Sequence, residues 1–247
     1  SVLVLSLLCV ALSAQIVSAA DLNITLAPGE TARVPMKFWC LDFGKPFPAA
    51  VTGPGSRAPD AVVKVLNSAI ASGLLASNPY QTQLAVWKAA DGTFHDTGNE
   101  GHVVAEKIVS DSAKLNLPAT ASGVSTLDQL VSQGTLKTTV ENFTAITDTT
   151  RNNQQPFMGM GVLVIQNSSS QKVSFVLVEG SVFKPAAGAN AQTTTGTTEQ
   201  TLVSHQDTQK PPELPKTGGE ANSNAIPLIV VMLLGGIGLL VSARLLN

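Results

Sequence analysis

The most reactive side chain in this sequence is the thiol of Cys40, in the string Lys37-Phe38-Trp39-Cys40-Leu41-Asp42-Phe43-Gly44-Lys45-Pro46. The other cysteine, Cys9, lies in the apolar run Ser1–Val17, which ends in small residues. Val17-Ser18-Ala19 and Ser18-Ala19-Ala20 both fit the small-x-small pattern of a signal-peptidase site. The run has no Lys, no Arg and no leading Met, so residues 1–20 are expected to be a signal peptide lacking its basic start. Leu8, directly before Cys9, is too large for a lipidation site. Once the leader is removed, Cys40 stands alone in an exported chain, where an unpaired thiol is an oxidation liability. On the residues alone two readings are open. Cys40 can be an inert buried hydrophobe, or the nucleophile of a hydrolase or transpeptidase with His95 or His102 as its base. No family motif surrounds Cys40 for the second role. His95, Glu100, His102 and Glu106 match no zinc spacing, so no metal or cofactor is expected, and a solvated helix face accounts for them. The aromatic residues Phe38, Trp39, Phe43, Phe47, Tyr80, Trp87 and Phe94 fall in one stretch that holds both tryptophans and the one tyrosine.

A second string lies downstream: Asn78-Pro79-Tyr80-Gln81-Thr82-Gln83-Leu84-Ala85-Val86-Trp87. Together the two strings resemble the thioester domains of bacterial surface adhesins, in which a cysteine follows an aromatic residue and a helix carries TQxA. The resemblance spans about Phe38 to Gly92. It implies that Cys40 is the thioester cysteine and that Gln83, within Thr82-Gln83-Leu84-Ala85, is its partner. It also implies that the thiol displaces ammonia from the glutamine carboxamide, leaving an electrophile open to an amine such as a lysine of a target. Such a bond survives only behind a shield that excludes water, and Phe38, Trp39, Tyr80 and Trp87 are the expected shield. Gln83 and Trp87 are one helical turn apart and share a face. Gln81 is expected to be a surface residue ahead of the helix proper.

The C-terminus carries Leu214-Pro215-Lys216-Thr217-Gly218, a polar spacer, the apolar stretch 225–243 and then Arg244. This order resembles the LPxTG sorting signal of Gram-positive-type surface proteins. The resemblance implies that a sortase attacks the carbonyl of Thr217 and joins it to an envelope amine. At ~1.5 Å per residue the apolar stretch nearly crosses a hydrocarbon core of ~30 Å, so it is expected to be a transmembrane helix. The tail has one basic residue rather than several, which leaves permanent anchoring by the helix as an alternative. Residues 186–213, rich in Thr, Gln, Ala and Pro, are expected to be a disordered stalk.

Residues 21–185 remain as the ectodomain. Alternation around Pro28-Gly29-Glu30 predicts a hairpin over 23–38. Val62, Val65, Leu66, Ile70 and Leu74 recur at helical spacing and predict a helix over 59–75 with Asp60 as its cap. Further helices are expected at 81–90, 103–117 and 125–133, and strands at 135–148, 161–166 and 172–182, the last as one strand or a pair. The fold class is therefore α+β: a β-sandwich or barrel made from both ends of the ectodomain, with helices inserted between. A net charge of −2 excludes binding that works by neutralising nucleic-acid phosphates.

The expected function is that of a cell-surface-anchored adhesin whose internal Cys40–Gln83 thioester couples covalently to amines on a target protein or polymer. It is not a turnover enzyme, because the thioester is consumed. The alternatives are a non-covalent adhesion or structural module with an inert Cys40, and the cysteine hydrolase or transpeptidase.

Overall fold

The computed structural model describes residues 21–96, 101–117, 123–147, 156–186 and 190–198, with the backbone of 204–206. The chain divides into the units Ser1–Gln209 and Lys210–Asn247, and every described residue belongs to the first. The expected leader (1–20), the Leu214–Gly218 motif and the apolar stretch 225–243 lie outside the described residues. Within them, no helix is long and apolar enough to cross a membrane.

The chain begins with strands β1 (Leu22–Leu26), β2 (Thr31–Cys40) and β3 (Val51–Thr52). Five helices follow: α1 (Asp60–Ala71), α2 (Leu74–Ser77), α3 (Pro79–Asp91), α4 (Val103–Ser112) and α5 (Leu127–Ser132). The chain then returns to strands β4 (Leu136–Ile146), β5 (Met158–Asn167), β6 (Val173–Leu177), β7 (Val182–Pro185), β8 (Thr194–Thr198) and β9 (Ser204–Gln206). Six strands form an antiparallel sheet in the order β3-β7-β8-β2-β5-β4, and β9 adds to the start of β2. The sheet curls until its ends meet. There the Thr138 hydroxyl of β4 donates to the carbonyl of Gly53, just past β3, at 2.6 Å. The result is mixed α+β: a nearly closed, barrel-like sheet built from both ends of the domain, with helices inserted between β3 and β4.

Two apolar cores lie on either side of β2. Val34, Met36, Phe38, Leu163, Ile165 and Phe183 fill the barrel. Trp39 and Cys40 join Val62, Leu66, Leu84, Trp87 and Ile108 in the core under the helices. Strand alternation accounts for Val34, Met36 and Phe38 entering the barrel and for Trp39 facing the helices. Cys40, the last residue of β2, joins the helical core next to Trp39 and so departs from that alternation.

Three expectations are corrected here. The hairpin over 23–38 does not form: β1 pairs with β6 (Leu22↔Leu177 to Leu26↔Val173), while β2 pairs with β5 (Thr31↔Gln166 to Trp39↔Met158). Asn167 explains the divergence. Its side-chain amide donates to the carbonyls of Leu26 (3.2 Å), Ala27 (3.0 Å) and Gln171 (2.7 Å), and its backbone exchanges hydrogen bonds with Gly29 and Glu30. The turn thus hands the chain from one sheet to another. Secondly, the stalk does not begin at 186. β8 lies inside the sheet between β7 and β2, with Thr194 and Thr195 fully buried. Its neighbours supply the apolar bulk that β8 lacks. A Cβ at Gly196 would come within 2.5 Å of Met36 Cε and 2.8 Å of Phe183 Cε2, so the missing side chain makes room for them. Of the expected stalk, residues 187–189, 199–203 and 207–213 lie outside the described residues. Thirdly, the helix expected over 59–75 is split at Gly73, whose φ of +70° is left-handed. Pro59, not Asp60, occupies its N-cap position. The stretch 172–182, expected as one strand or a pair, is a pair: β6 and β7, separated by the turn at Gly180 (φ +79°).

Candidate functional site

The site is assembled where β5 runs out. The β5–β2 ladder ends at the pair Trp39↔Met158, one residue short of Cys40. On its other edge β2 stays in register with β8, and Leu41 N–H donates to Thr193 O at 2.9 Å. In an extended strand the N–H and C=O of one residue point to the same side. Those of Cys40 therefore face the edge that β5 has left, and would be buried without partners. Gln83 takes the place of the absent strand. Its Oε1 accepts from Cys40 N–H at 2.9 Å and its Nε2 donates to Cys40 O at 2.8 Å. Both residues are fully buried. Glutamine is rarely found at zero exposure unless its amide is satisfied, and here one residue satisfies both ends.

The helix that presents Gln83 is α3. Pro79 sits in its first turn, where a missing N–H costs nothing, and Gly92 ends it with φ +87°. Thr82 to Trp87 are buried without a break, so α3 lies inside the helical core. Its start at Pro79 corrects the expectation for Gln81. That residue is within the helix, where its Nε2 donates to Gly101 O at 3.0 Å and its Oε1 accepts from Ala105 N–H at 3.1 Å. Gln81 therefore ties α3 to α4 and faces away from Cys40's backbone.

Burial pushes the Cys40 thiol well above its ordinary range, and the nearby charge of Asp42 adds to the effect. The thiol is therefore neutral. Partial burial would raise Asp42, but hydrogen bonds from Thr193 and Lys45 outweigh it and hold that carboxyl below its usual range. A neutral thiol beside a carboxamide can form a thioester if its proton goes to the departing nitrogen. The Sγ–Cδ bond forms, the Cδ–Nε2 bond breaks and ammonia leaves. The charge that develops on Oε1 in the intermediate falls on the atom already held by Cys40 N–H, a backbone donor in the position of an oxyanion hole.

Three of the four expected shield residues lie in the helical core beside this pair. Trp39 is fully buried and its Nε1 donates to the Thr197 hydroxyl at 3.1 Å. Tyr80 packs edge-on to Phe157 with centroids 5.5 Å apart, and its hydroxyl donates to Asp96 at 3.1 Å. Trp87 packs edge-on to Phe43 at 5.1 Å, and Phe43 stacks on His95 at 3.9 Å. Phe38 is placed elsewhere, inside the barrel against Phe143 (5.2 Å) and Phe183 (5.0 Å). Phe157 and Thr194, which the motifs did not single out, are brought in by tertiary pairing.

The histidines are engaged apart from the thiol. His95 Nε2 lies 2.7 Å from Asp91 Oδ2, and His102 Nε2 lies 3.2 Å from Glu106 Oε1 with its ring stacked on Phe94. Neither makes a hydrogen bond to Cys40 among the described residues. Glu100 lies outside the described residues, and within them no group of three or more His, Cys, Asp or Glu side chains could hold a metal ion. No protein-family model, no curated protein and no solved structure matches this chain.

Proposed function

We propose that this chain is a surface-anchored adhesin whose Cys40 and Gln83 form an internal thioester that couples covalently to an amine on a target. The observation that carries the reading is the doubly hydrogen-bonded, fully buried contact between the Gln83 carboxamide and the backbone of Cys40. It supports thioester formation in two ways. The acyl carbon is fixed against the residue that carries the nucleophile, which lowers the entropic part of the barrier. The carbonyl oxygen keeps its donor after ammonia leaves, so the thioester stays polarised toward attack. The position vacated by Nε2, opposite Cys40 O, is the one an attacking amine nitrogen would fill, since coupling is the microscopic reverse of formation with another amine. A thiol kept neutral and, among the described residues, without a histidine partner speaks against the cysteine-hydrolase alternative, which needs a thiolate.

Export, attachment through Thr217 by a sortase and the membrane helix before sorting are the parts of the proposal that rest on the terminal motifs. They place the reactive bond outside the cell, where a lysine-bearing target is met. The test is coupling. The purified protein incubated with lysine-bearing extracellular proteins should give adducts that survive denaturation in detergent. The same proteins with acetylated lysines should give none. Equal adduct yield from acetylated proteins, or from Gln83→Ala, would remove the thioester from the explanation.

A further inference from the structure

Aromatic residues flank Gln83 on both sides along α3, and among the described residues only one flank reaches solvent. Tyr80, three residues before Gln83, packs on Phe157, and both are buried. Trp87, one turn after Gln83, is buried too, but its neighbour Phe43 is 40 % exposed and stacks on His95. Phe43 belongs to the loop of residues 41–46, which leaves β2 directly after Cys40. The loop is stitched to the residues that lead into β8. Leu41 N–H donates to Thr193 O at 2.9 Å, and Thr193 N–H donates to Asp42 Oδ2 at 3.0 Å. Lys45 Nζ donates to the same oxygen at 3.2 Å. Beyond it, Gln192 Nε2 donates to Lys45 O at 2.6 Å and Gln192 N–H to Pro46 O at 2.9 Å. The Asp42 and Lys45 side chains are 33 % and 45 % exposed, so water can take over their bonds. The bonds between Gln83 and Cys40 are buried. The loop can therefore open locally while the pair beneath it stays assembled.

We propose that loop 41–46 is the lid of the reactive pair and that Asp42 is the positioning residue that holds it shut, an assignment that rests on the thioester reading above. Closed, the loop lays Phe43 on Trp87 and keeps water from the bond. Open, it uncovers Trp87 and the pair behind it, and water and amines enter by the same route. Water attacking Cδ forms a C–O bond, breaks the Cδ–Sγ bond and gives a proton to sulfur. That leaves a carboxyl at residue 83 and a free Cys40 thiol, so the bond is spent. An amine attacking the same carbon forms the amide and gives its proton to sulfur in the same way. Asp42 touches neither reactant. It acts through Phe43, by setting how often the open state is visited.

The experiment uses the full protein and follows its intact mass. The thioester shows as a deficit of one ammonia, its hydrolysis as the gain of one water and its coupling as the gain of methylamine. Both reactions run from the open state, so both rates scale with the open fraction. Asp42→Ala removes an ionised acceptor, worth about tenfold in such an equilibrium, so hydrolysis and methylamine coupling should both speed up about tenfold. Phe43→Ala removes the cover and should also speed up both. Asp42→Asn keeps an oxygen for Thr193 N–H and should recover most of the protection. Glu141→Ala breaks a partly exposed ion pair with Arg33 on the barrel and should leave both rates at the wild-type value. A mass deficit in Asp42→Ala that hydrolyses and couples at the wild-type rates overturns the lid and leaves the thioester standing. Acceleration of only one of the two reactions also overturns it, because the route is shared. Asp42→Asn reacting as fast as Asp42→Ala does so too, since it assigns the effect to charge rather than to the clasp. A wild-type protein with no mass deficit overturns the thioester and the lid together.

Discussion

Gln83 has a structural task separate from its chemistry, and removing it in a background without the cross-link isolates that task. In Cys40→Ala no thioester can form, yet the backbone N–H and C=O of residue 40 still need partners. Adding Gln83→Ala removes both hydrogen bonds, of 2.9 and 2.8 Å, and leaves a donor and an acceptor buried in a core that includes Trp39, Leu84 and Trp87. Each unsatisfied group costs about 1–3 kcal/mol, so the double variant should lie about 2–6 kcal/mol below Cys40→Ala. That is a large share of the ~5–15 kcal/mol that holds an ordinary domain folded. Equilibrium urea unfolding should show the midpoint falling with an unchanged m value, the mark of a loss of stability without a change in the surface exposed. By contrast, Gln81→Ala in the same background removes two half-exposed bonds to Gly101 and Ala105 that water can replace, and should cost about 0.5–1.5 kcal/mol. A Gln83→Ala cost below that of Gln81→Ala would refute the argument that Gln83 substitutes for the missing strand.

Three further outcomes are expected. Gly196→Val should cost about 1–3 kcal/mol by overpacking against Met36 and Phe183, read by thermal melting; a neutral result would remove β8 from the barrel wall. Glu179 should make stability fall as pH rises: burial pushes its carboxyl up to about 8 from an ordinary 4.5, with the Asp21 charge adding and Thr198 and Arg57 opposing. The folded state therefore holds a proton that the unfolded chain has lost between those values, and the contribution is full below about 4.5 and gone above about 8. Glu179→Gln should flatten that slope in melts across the window, and an unchanged slope would assign it to other groups. For anchoring, peptide mapping of protein from the envelope fraction should find its C-terminus at Thr217, with Thr217→Ala accumulating unprocessed; an intact Arg244–Asn247 tail on the mature protein would leave only the membrane helix as anchor.

What could be read from the residues, and what could not, divides along a physical line. Periodicity reports which face of an element is buried, and it located α1, α3, β4 and β5 to within a few residues. It does not report which strand lies alongside, and so β1 and β2 read as a hairpin although Asn167 sends them to different sheets. Composition misjudged β8 for a related reason. Thr194, Thr195 and Gly196 look like stalk because they carry little apolar area. Inside a sheet, however, such residues are buried by the bulk of Met36 and Phe183 on their neighbours. At the candidate site, the strings around Cys40 and Gln83 named the two residues that the fold brings into contact. Phe38 was grouped with the wrong side of β2 because the strand is buried on both faces near its end, where alternation no longer separates core from surface. Thr194 carries no local signal at all: that it is buried opposite Cys40 is a fact of register.

The central claim is that Cys40 Sγ and Gln83 Cδ are bonded in the native protein. Intact mass spectrometry of the freshly purified protein tests it most directly, with peptide mapping at acidic pH to preserve a thioester. The account predicts a mass one ammonia below that of the sequence, a linked pair of peptides containing Cys40 and Gln83, and loss of both in Cys40→Ala and in Gln83→Ala. It also predicts that methylamine adds to Gln83 and releases a Cys40 thiol. A full sequence mass, with Cys40 titrating as one unmodified thiol after unfolding and no methylamine adduct, would contradict it and leave a non-covalent module with a buried cysteine.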